Sequence, residues 1–482
     1  MPKFIGSMKQ LRYLDLSHSF SFATVPREWG NLTKLEFLDL HGDYPMGVVN
    51  DIRWVSHLRA LKYLDMSGIN VNRSGDLMQL ISTLPSLSRL SLSDCGLNNF
   101  HLSSESLTNS TALHLQYLDL SWNFFEGFIP STIFQNMTSL QHLDLHSYYR
   151  MGVVNDIRWV SHLRALKYLD MSGITVNRFG DLMQLINTLP SLSRLSLSAC
   201  GLNNFHLSSE SLTNSTALHL QYLDLSRNFF EGFIPSTIFQ NMTSLQHLDL
   251  SSNLFNSSES RWFDNLRNLV DLNLAHNLLQ SIEGGLFSFL RENPFLESLY
   301  LGYNGLHEEI FSVEGNSSGL IGKNFKRLEI SYNFLQGPLP DWSVHLKNLK
   351  MLDLSYNQLH GTIPSSHGWL CLRALFLSHN QLTGNIPEAL GRSQVLTSLD
   401  LSNNLLEGTI PHSLGQLQNL GYLDLSANSL RGTVSEIHFS NLSKLRYLDI
   451  SYNHLAIEVD SDWIPPFNLL ISPRLARSHV VL

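Results

Sequence analysis

Twelve aspartates recur at near-constant intervals along the chain, each between a leucine and a second aliphatic residue. They are Asp15, Asp39, Asp65, Asp119, Asp144, Asp170, Asp224, Asp249, Asp353, Asp400, Asp424 and Asp449. Brought into register, such carboxylates form an acidic stripe that attracts a cationic ligand. Like charges on adjacent strands repel, however, and are tolerated only with hydrogen bonds, basic neighbours or partial protonation. A repeat residue that uses its oxygens on its own neighbours is the weightier alternative. Asp353, Asp400 and Asp424 are the carboxylates expected at a partner-binding face.

Aromatic residues recur in and around the same short segments: Tyr13, Tyr63, Tyr117, Trp122, Tyr168, Tyr222, Tyr300, Tyr332, Tyr356, Tyr422, Tyr447 and Tyr452. Tyrosine and tryptophan bring large contact area at low entropy cost and often anchor interfaces. Packing between neighbouring strands accounts for them equally well. Tyr332, Tyr356 and Trp122 are the aromatic candidates for partner binding, with Arg227, which replaces Trp122 in a duplicated segment.

Catalytic and metal chemistry find little support. The chain has 21 histidines, but no His-Glu-x-x-His, Gly-x-Ser-x-Gly or Gly-x-x-x-x-Gly-Lys. Its three cysteines make neither a disulfide framework nor a zinc spacing. With a formal charge of −9 and no lysine–arginine cluster, nucleic acid is disfavoured as a partner. We expect no enzyme, no cofactor and no metal.

What must position these residues is a repeat. The spacing Leu-x-x-Leu-x-Leu, with occasional Met, Ile or Phe, occurs eighteen times. Its second leucine falls at Leu14, Leu38, Leu64, Leu90, Leu118, Leu143, Leu169, Leu195, Leu223, Leu248, Leu272, Leu299, Leu328, Leu352, Leu375, Leu399, Leu423 and Leu448. A period near 25 residues means stacked units rather than one central core. Leu-x-Leu puts both leucines on one strand face and the residue between them on the other. Three residues past the last leucine stands an asparagine in eleven repeats, from Asn123 to Asn453, with Cys95 and Cys200 in two others. Its amide can both donate to and accept from the backbone of a buried turn. The expected fold is an α/β solenoid with one long parallel concave β-sheet and an irregular or 3-10 convex side.

Several repeats continue with Gly-x-Ile-Pro, as in Gly127–Pro130, Gly232–Pro235, Gly361–Pro364, Gly384–Pro387 and Gly408–Pro411. With the leucine–asparagine frame this resembles the plant extracellular subclass of leucine-rich repeats. Phe4–Ser17, Asp51–Ser56 and Asp462–Phe467 are similar to plant receptor-like proteins of the fungal-xylanase-elicitor receptor and disease-resistance group. That resemblance implies a plant-type superhelix. It also implies a non-enzymatic ectodomain on the extracellular side of the plasma membrane, acting in defence signalling. A protein or peptide ligand would bind the concave face, with a co-receptor kinase as second partner. A secreted inhibitor of a microbial wall-degrading enzyme is the alternative, and a non-functional gene fragment is another.

Residues 1–470 read as one continuous solenoid and 471–482 as a non-repeat tail. No signal peptide, paired-cysteine cap or run of about twenty apolar residues is present. Met1-Pro2 falls where the Ile-Pro of a preceding repeat would stand, so both ends are expected to be cut. Residues 46–142 recur as 151–247, with five differences: Asn70/Thr175, Ser74/Phe179, Ser82/Asn187, Asp94/Ala199 and Trp122/Arg227. Nine N-glycosylation sequons occur, at Asn31, Asn72, Asn109, Asn136, Asn214, Asn241, Asn256, Asn316 and Asn441.

Overall fold

A leucine alternation of period two can bury its face only in a strand, and that is where all eighteen anchor leucines lie. The computed structural model describes residues 1–19, 24–42, 52–71, 77–102, 114–129, 131–134, 136–147, 152–178, 180–207, 219–234, 236–239, 241–258, 266–282, 285–307, 324–339, 346–365, 370–467 and 479–480. Each anchor is the middle residue of a three-residue strand, from Tyr13–Asp15 to Tyr447–Asp449.

The chain divides into two compact units. Met1–Glu231 with Thr237–Leu245 holds nine of the strands, Tyr13–Asp15 to Tyr222–Asp224. Gly232–Ser236 with Gln246–Leu482 holds the other nine, His247–Asp249 to Tyr447–Asp449. Within each unit the strands pair in parallel, anchor opposite anchor. Leu14, Leu38 and Leu64 stand in one row in the first unit, and Leu352, Leu375 and Leu399 in the second. Leu352 and Leu354 are fully buried, and each such side chain contributes about 1.5–3 kcal/mol relative to exposure.

The asparagines do what their chemistry allows. Asn357 Nδ2 donates to the carbonyls of Leu354 and Ser355 in its own coil, at 3.1 and 3.2 Å. It also donates to Ile330 of the preceding coil at 2.9 Å, while its Oδ1 accepts the Leu335 N–H at 3.1 Å. Cys95 and Cys200 replace this pattern with one donor each, to the carbonyls of Met66 and Met171 at 3.2 Å. Ile69 and Ile174 fill the slot as buried apolar side chains.

Opposite the strands the chain runs mainly through 3-10 turns, such as Arg27–Asn31, Glu388–Arg392 and His412–Gln416. It also forms α-helices, which the sequence did not lead us to expect on that side: Leu77–Ser82, Leu182–Thr188 and Gly285–Glu292. A shorter helix, Ser236–Phe239, lies in a 25-residue coil, and the 26-residue coils from Leu38 to Leu64 and Leu143 to Leu169 carry the 3-10 turns Arg53–His57 and Ile157–His162, so coil length alone does not decide the turn type. Asp181 starts the helix Leu182–Thr188, its Oδ1 accepting the N–H groups of Met183 and Gln184 at 2.7 and 3.1 Å.

In the second unit the Gly-x-Ile-Pro segments add a further parallel row, Gln336–Pro338, Gln358–Thr362, Gln381–Asn385 and Leu405–Glu407. Gly384 turns there with φ +73°, and a Cβ would come within 2.9 Å of Thr362 Cγ2. Residues 471–482 lie outside the described residues except His479–Val480, which pair with Ala456–Ile457. Among the described residues no helix is long and apolar enough to cross a membrane.

Candidate functional site

Residues on either side of each anchor leucine face away from the core. Because the strands are in register about 4.8 Å apart, each such position becomes a column of side chains. In the first unit the column before the anchor reads Tyr13, Phe37, Tyr63, Arg89, Tyr117, His142, Tyr168, Arg194, Tyr222, and it is unbroken. Tyr13, Phe37 and Tyr63 stack with ring centroids 4.2 and 4.1 Å apart. The Arg89 guanidinium lies 5.5 Å from the centre of Tyr63 and 3.6 Å from that of Tyr117. His142 stacks between Tyr117 and Tyr168 at 4.0 Å from each. Arg194 spans Tyr168 and Tyr222 at 5.6 and 3.7 Å. Burial pushes the His142 pKa down to about 4 despite Asp144 and Asp119, so its ring is neutral near pH 7. Burial, then adjacent aspartates, pushes the phenols of Tyr63 and Tyr117 up to about 12.

The column after the anchor carries the aspartates, and all twelve do the same local work. Each accepts through Oδ1 the backbone N–H two residues on, from Asp15 and Ser17 at 3.0 Å to Asp449 and Ser451 at 2.9 Å. The serine hydroxyls add bonds of 2.6, 2.7 and 2.6 Å at Asp353, Asp400 and Asp424. Burial raises the pKa of Asp353 and of Asp424 despite these bonds. Asp400 and Asp424 are neighbours, whereas Phe376 separates Asp353 from Asp400. Glu329, which the aspartate pattern hides, is the neighbour of Asp353 on the other side.

A third column lies at the strand exit, just before the ladder asparagine, and its backbone is unusual. Among the described residues, fourteen non-glycine residues have positive φ, and all fourteen occupy this slot, including Trp122 (+61°), Arg227 (+56°), Tyr332 (+53°) and Tyr356 (+54°). A left-handed conformation disfavours bulky residues. The strand ladder holds them there: Tyr332 N–H donates to Ser355 at 3.0 Å and Tyr356 N–H to Ser378 at 2.9 Å. In the second unit this rim column is aromatic over five coils. His276, Tyr303, Tyr332, Tyr356 and His379 stack with centroids 4.2, 4.1, 4.0 and 4.0 Å apart. Tyr303, Tyr332 and Tyr356 are 43, 38 and 39% exposed. Of the sequence candidates, Tyr332 and Tyr356 are thus in direct contact. Trp122 and His146 meet edge to face with ring centroids 4.8 Å apart, and Arg227 is exposed. Two of the five differences between the duplicated segments, Asp94/Ala199 and Trp122/Arg227, fall in this rim column.

Two other groups bear on function. Asp39, His41 and Asp65 bring one ligand atom each to within 4.8 Å of one another, as do Asp144, His146 and Asp170. Of the sequons, Asn31, Asn136 and Asn441 are exposed and Asn241 is half-buried, all at or just after the helical turn opposite the strands. Asn256 is exposed on Leu254–Ser258, outside the anchor strands. Asn72, Asn109, Asn214 and Asn316 lie outside the described residues.

The family model for Leucine rich repeat matches residues 218–279, 323–382 and 394–455, and a second, Leucine Rich Repeat, matches 114–136. With strands, ladder and turns repeating as described, the chain has the leucine-rich-repeat fold. Over 254 residues it is 34% identical to Receptor-like protein EIX1 of Solanum lycopersicum, covering 48% of this chain and 24% of that protein. The chain is thus similar to plant receptor-like proteins, and spans about a quarter of the length of that relative. The Arabidopsis receptor kinase HAESA, solved with the peptide hormone IDA and the co-receptor SERK1, has the same fold. Its TM-score is 0.60 at 23% identity, over 95% of this chain and 76% of that one. PEPR1, solved as PEPR1–AtPEP1, gives a TM-score of 0.55 at 26% identity, over 94 and 70%.

Proposed function

We propose that the outward strand face is the ligand-binding surface of an extracellular receptor-like module at the plant plasma membrane, acting in defence signalling. It takes a protein or peptide ligand along the rim column of that face and engages a co-receptor kinase as second partner. The observation that carries this reading is the stacked column His276–Tyr303–Tyr332–Tyr356–His379. It aligns three partly exposed tyrosines, flanked by two histidines, in one continuous aromatic stack along the rim. The sequons among the described residues all lie away from the anchor strands. HAESA, whose structure holds the peptide hormone IDA and the co-receptor SERK1, supports a peptide or protein as the class of ligand.

A photo-crosslinking amino acid in place of Tyr332, compared with one in place of Asn136, tests the assignment with fungal xylanase as probe. Crosslinks at Tyr332 and none at Asn136 support it. Crosslinks at Asn136 alone, or at neither position, contradict it.

A further inference from the structure

Each Asp-His-Asp trio is built across two neighbouring strands of the first unit. In one, Phe37–Asp39 pairs with Tyr63–Asp65, placing Asp39 opposite Asp65. His41 Nδ1 stands 2.7 Å from Asp39 Oδ1, and Tyr63 donates its hydroxyl to Asp39 Oδ2 at 3.3 Å. In the other, Asp144 is opposite Asp170, His146 Nδ1 is 2.8 Å from Asp144 Oδ1, and Tyr168 donates to Asp144 Oδ2 at 3.3 Å. Asp39 and Asp144 are buried, at 6 and 8% exposure.

We propose that each trio is a divalent-cation site, with the imidazole Nδ1 and one oxygen from each carboxylate as the three protein ligands. Ligands about 2.1 Å from one ion stand about 3.0–3.4 Å from each other in octahedral or tetrahedral geometry. The His41–Asp39 pair therefore has to open by only a few tenths of an ångström to admit an ion in place of the shared proton. One imidazole with two carboxylates suits Zn²⁺, Co²⁺, Ni²⁺ or Mn²⁺, whereas Ca²⁺ and Mg²⁺ take all-oxygen shells. A dication also neutralises two carboxylates that otherwise face each other across adjacent strands. No metal spacing shows in the sequence because the third ligand comes from the next coil.

The two sites differ in what supports the histidine. When Nδ1 binds the ion, its proton leaves to solvent and Nε2 carries the ring N–H. At His41 that N–H faces His18 Nε2, 2.9 Å away, which accepts it and fixes the tautomer. At His146 the neighbour in the corresponding coil is Trp122, whose indole nitrogen only donates. The first site should bind about 10–100-fold more tightly than the second. The next equivalent coil has Asp249, Ser251 and Asn273 and lacks the nitrogen ligand.

Titration of the full chain with Co²⁺, followed by its visible d–d absorption, tests the proposal. Two equivalents are expected, one lost in Asp65→Asn and the other in Asp170→Asn. In both variants the amide oxygen still accepts the Ser67 or Ser172 N–H, so melting should stay close to wild type. His18→Ala should weaken the tighter equivalent to the affinity of the weaker one. Co²⁺ binding that is absent, or unchanged in both asparagine variants while they remain folded, would overturn it.

Discussion

Asn357 donates its side-chain amide to the Ile330 carbonyl of the preceding coil at 2.9 Å, tying two coils through a buried bond. Asn357→Ala leaves three carbonyls and the Leu335 N–H without that partner. The expected loss is about 2–4 kcal/mol, comparable to the ~2–5 kcal/mol for Leu352→Ala beside it. Denaturant unfolding of each variant checks both figures. Stability unchanged in Asn357→Ala would mean that the ladder does not hold the coils together.

His142 makes stability depend on pH with a definite sign. Its folded pKa lies near 4, below the usual 6.5, chiefly because the ring is buried. Between those values the unfolded chain binds a proton that the folded chain does not, so stability falls as pH drops through this window. His142→Phe keeps an aromatic in the column and removes the titration. The acid loss between about pH 6.5 and 4 should shrink by roughly 1–2 kcal/mol, after allowance for the part-exposed ring. Parallel melting curves of wild type and variant read this difference, with other titrating groups common to both.

Neutralising the acidic column should leave recognition intact. Asp353, Asp400 and Asp424 use one oxygen on their own strand exits, an acceptor that asparagine retains. The triple variant Asp353→Asn, Asp400→Asn, Asp424→Asn should keep its melting temperature and its affinity for fungal xylanase within about twofold, as for most contacts outside a hot spot. A loss of tenfold or more would move these aspartates into the binding surface.

Glycosylation should follow the exposed turns. Secreted from plant cells, the chain should carry glycans at Asn31, Asn136 and Asn441, all exposed. Asn72 belongs to a sequon that Phe179 removes from the second copy at Asn177, so Asn177 should be bare. Glycopeptide mapping that finds none of these sites occupied would place the chain outside the secretory pathway.

The strands were legible in the sequence because a period of two leaves one way to bury Leu352 and Leu354 together. All eighteen anchors fall at strand centres for that reason. The asparagine ladder was legible too, since a side-chain amide offers two N–H donors and a carbonyl acceptor at fixed positions in one slot. Hidden were relationships between residues a whole coil apart. Phe37, Arg89 and His142 share a column with tyrosines, but their types differ, so no motif marks them. His276 and His379 extend the Tyr303–Tyr356 stack for the same reason. The left-handed backbone at Tyr332 and Trp122 had one sign in the sequence, Gly68 and Gly173 in the same slot at φ +77° and +78°, but the aromatic residues themselves do not mark it.

The central claim is that the rim column binds the ligand. Affinity for fungal xylanase, measured with wild type and with the triple variant Tyr303→Ala, Tyr332→Ala, Tyr356→Ala, tests it most directly. Loss of at least about tenfold in a variant that still melts cooperatively is the predicted result, in keeping with truncation of aromatic anchors. Equal affinity in the folded variant would contradict it.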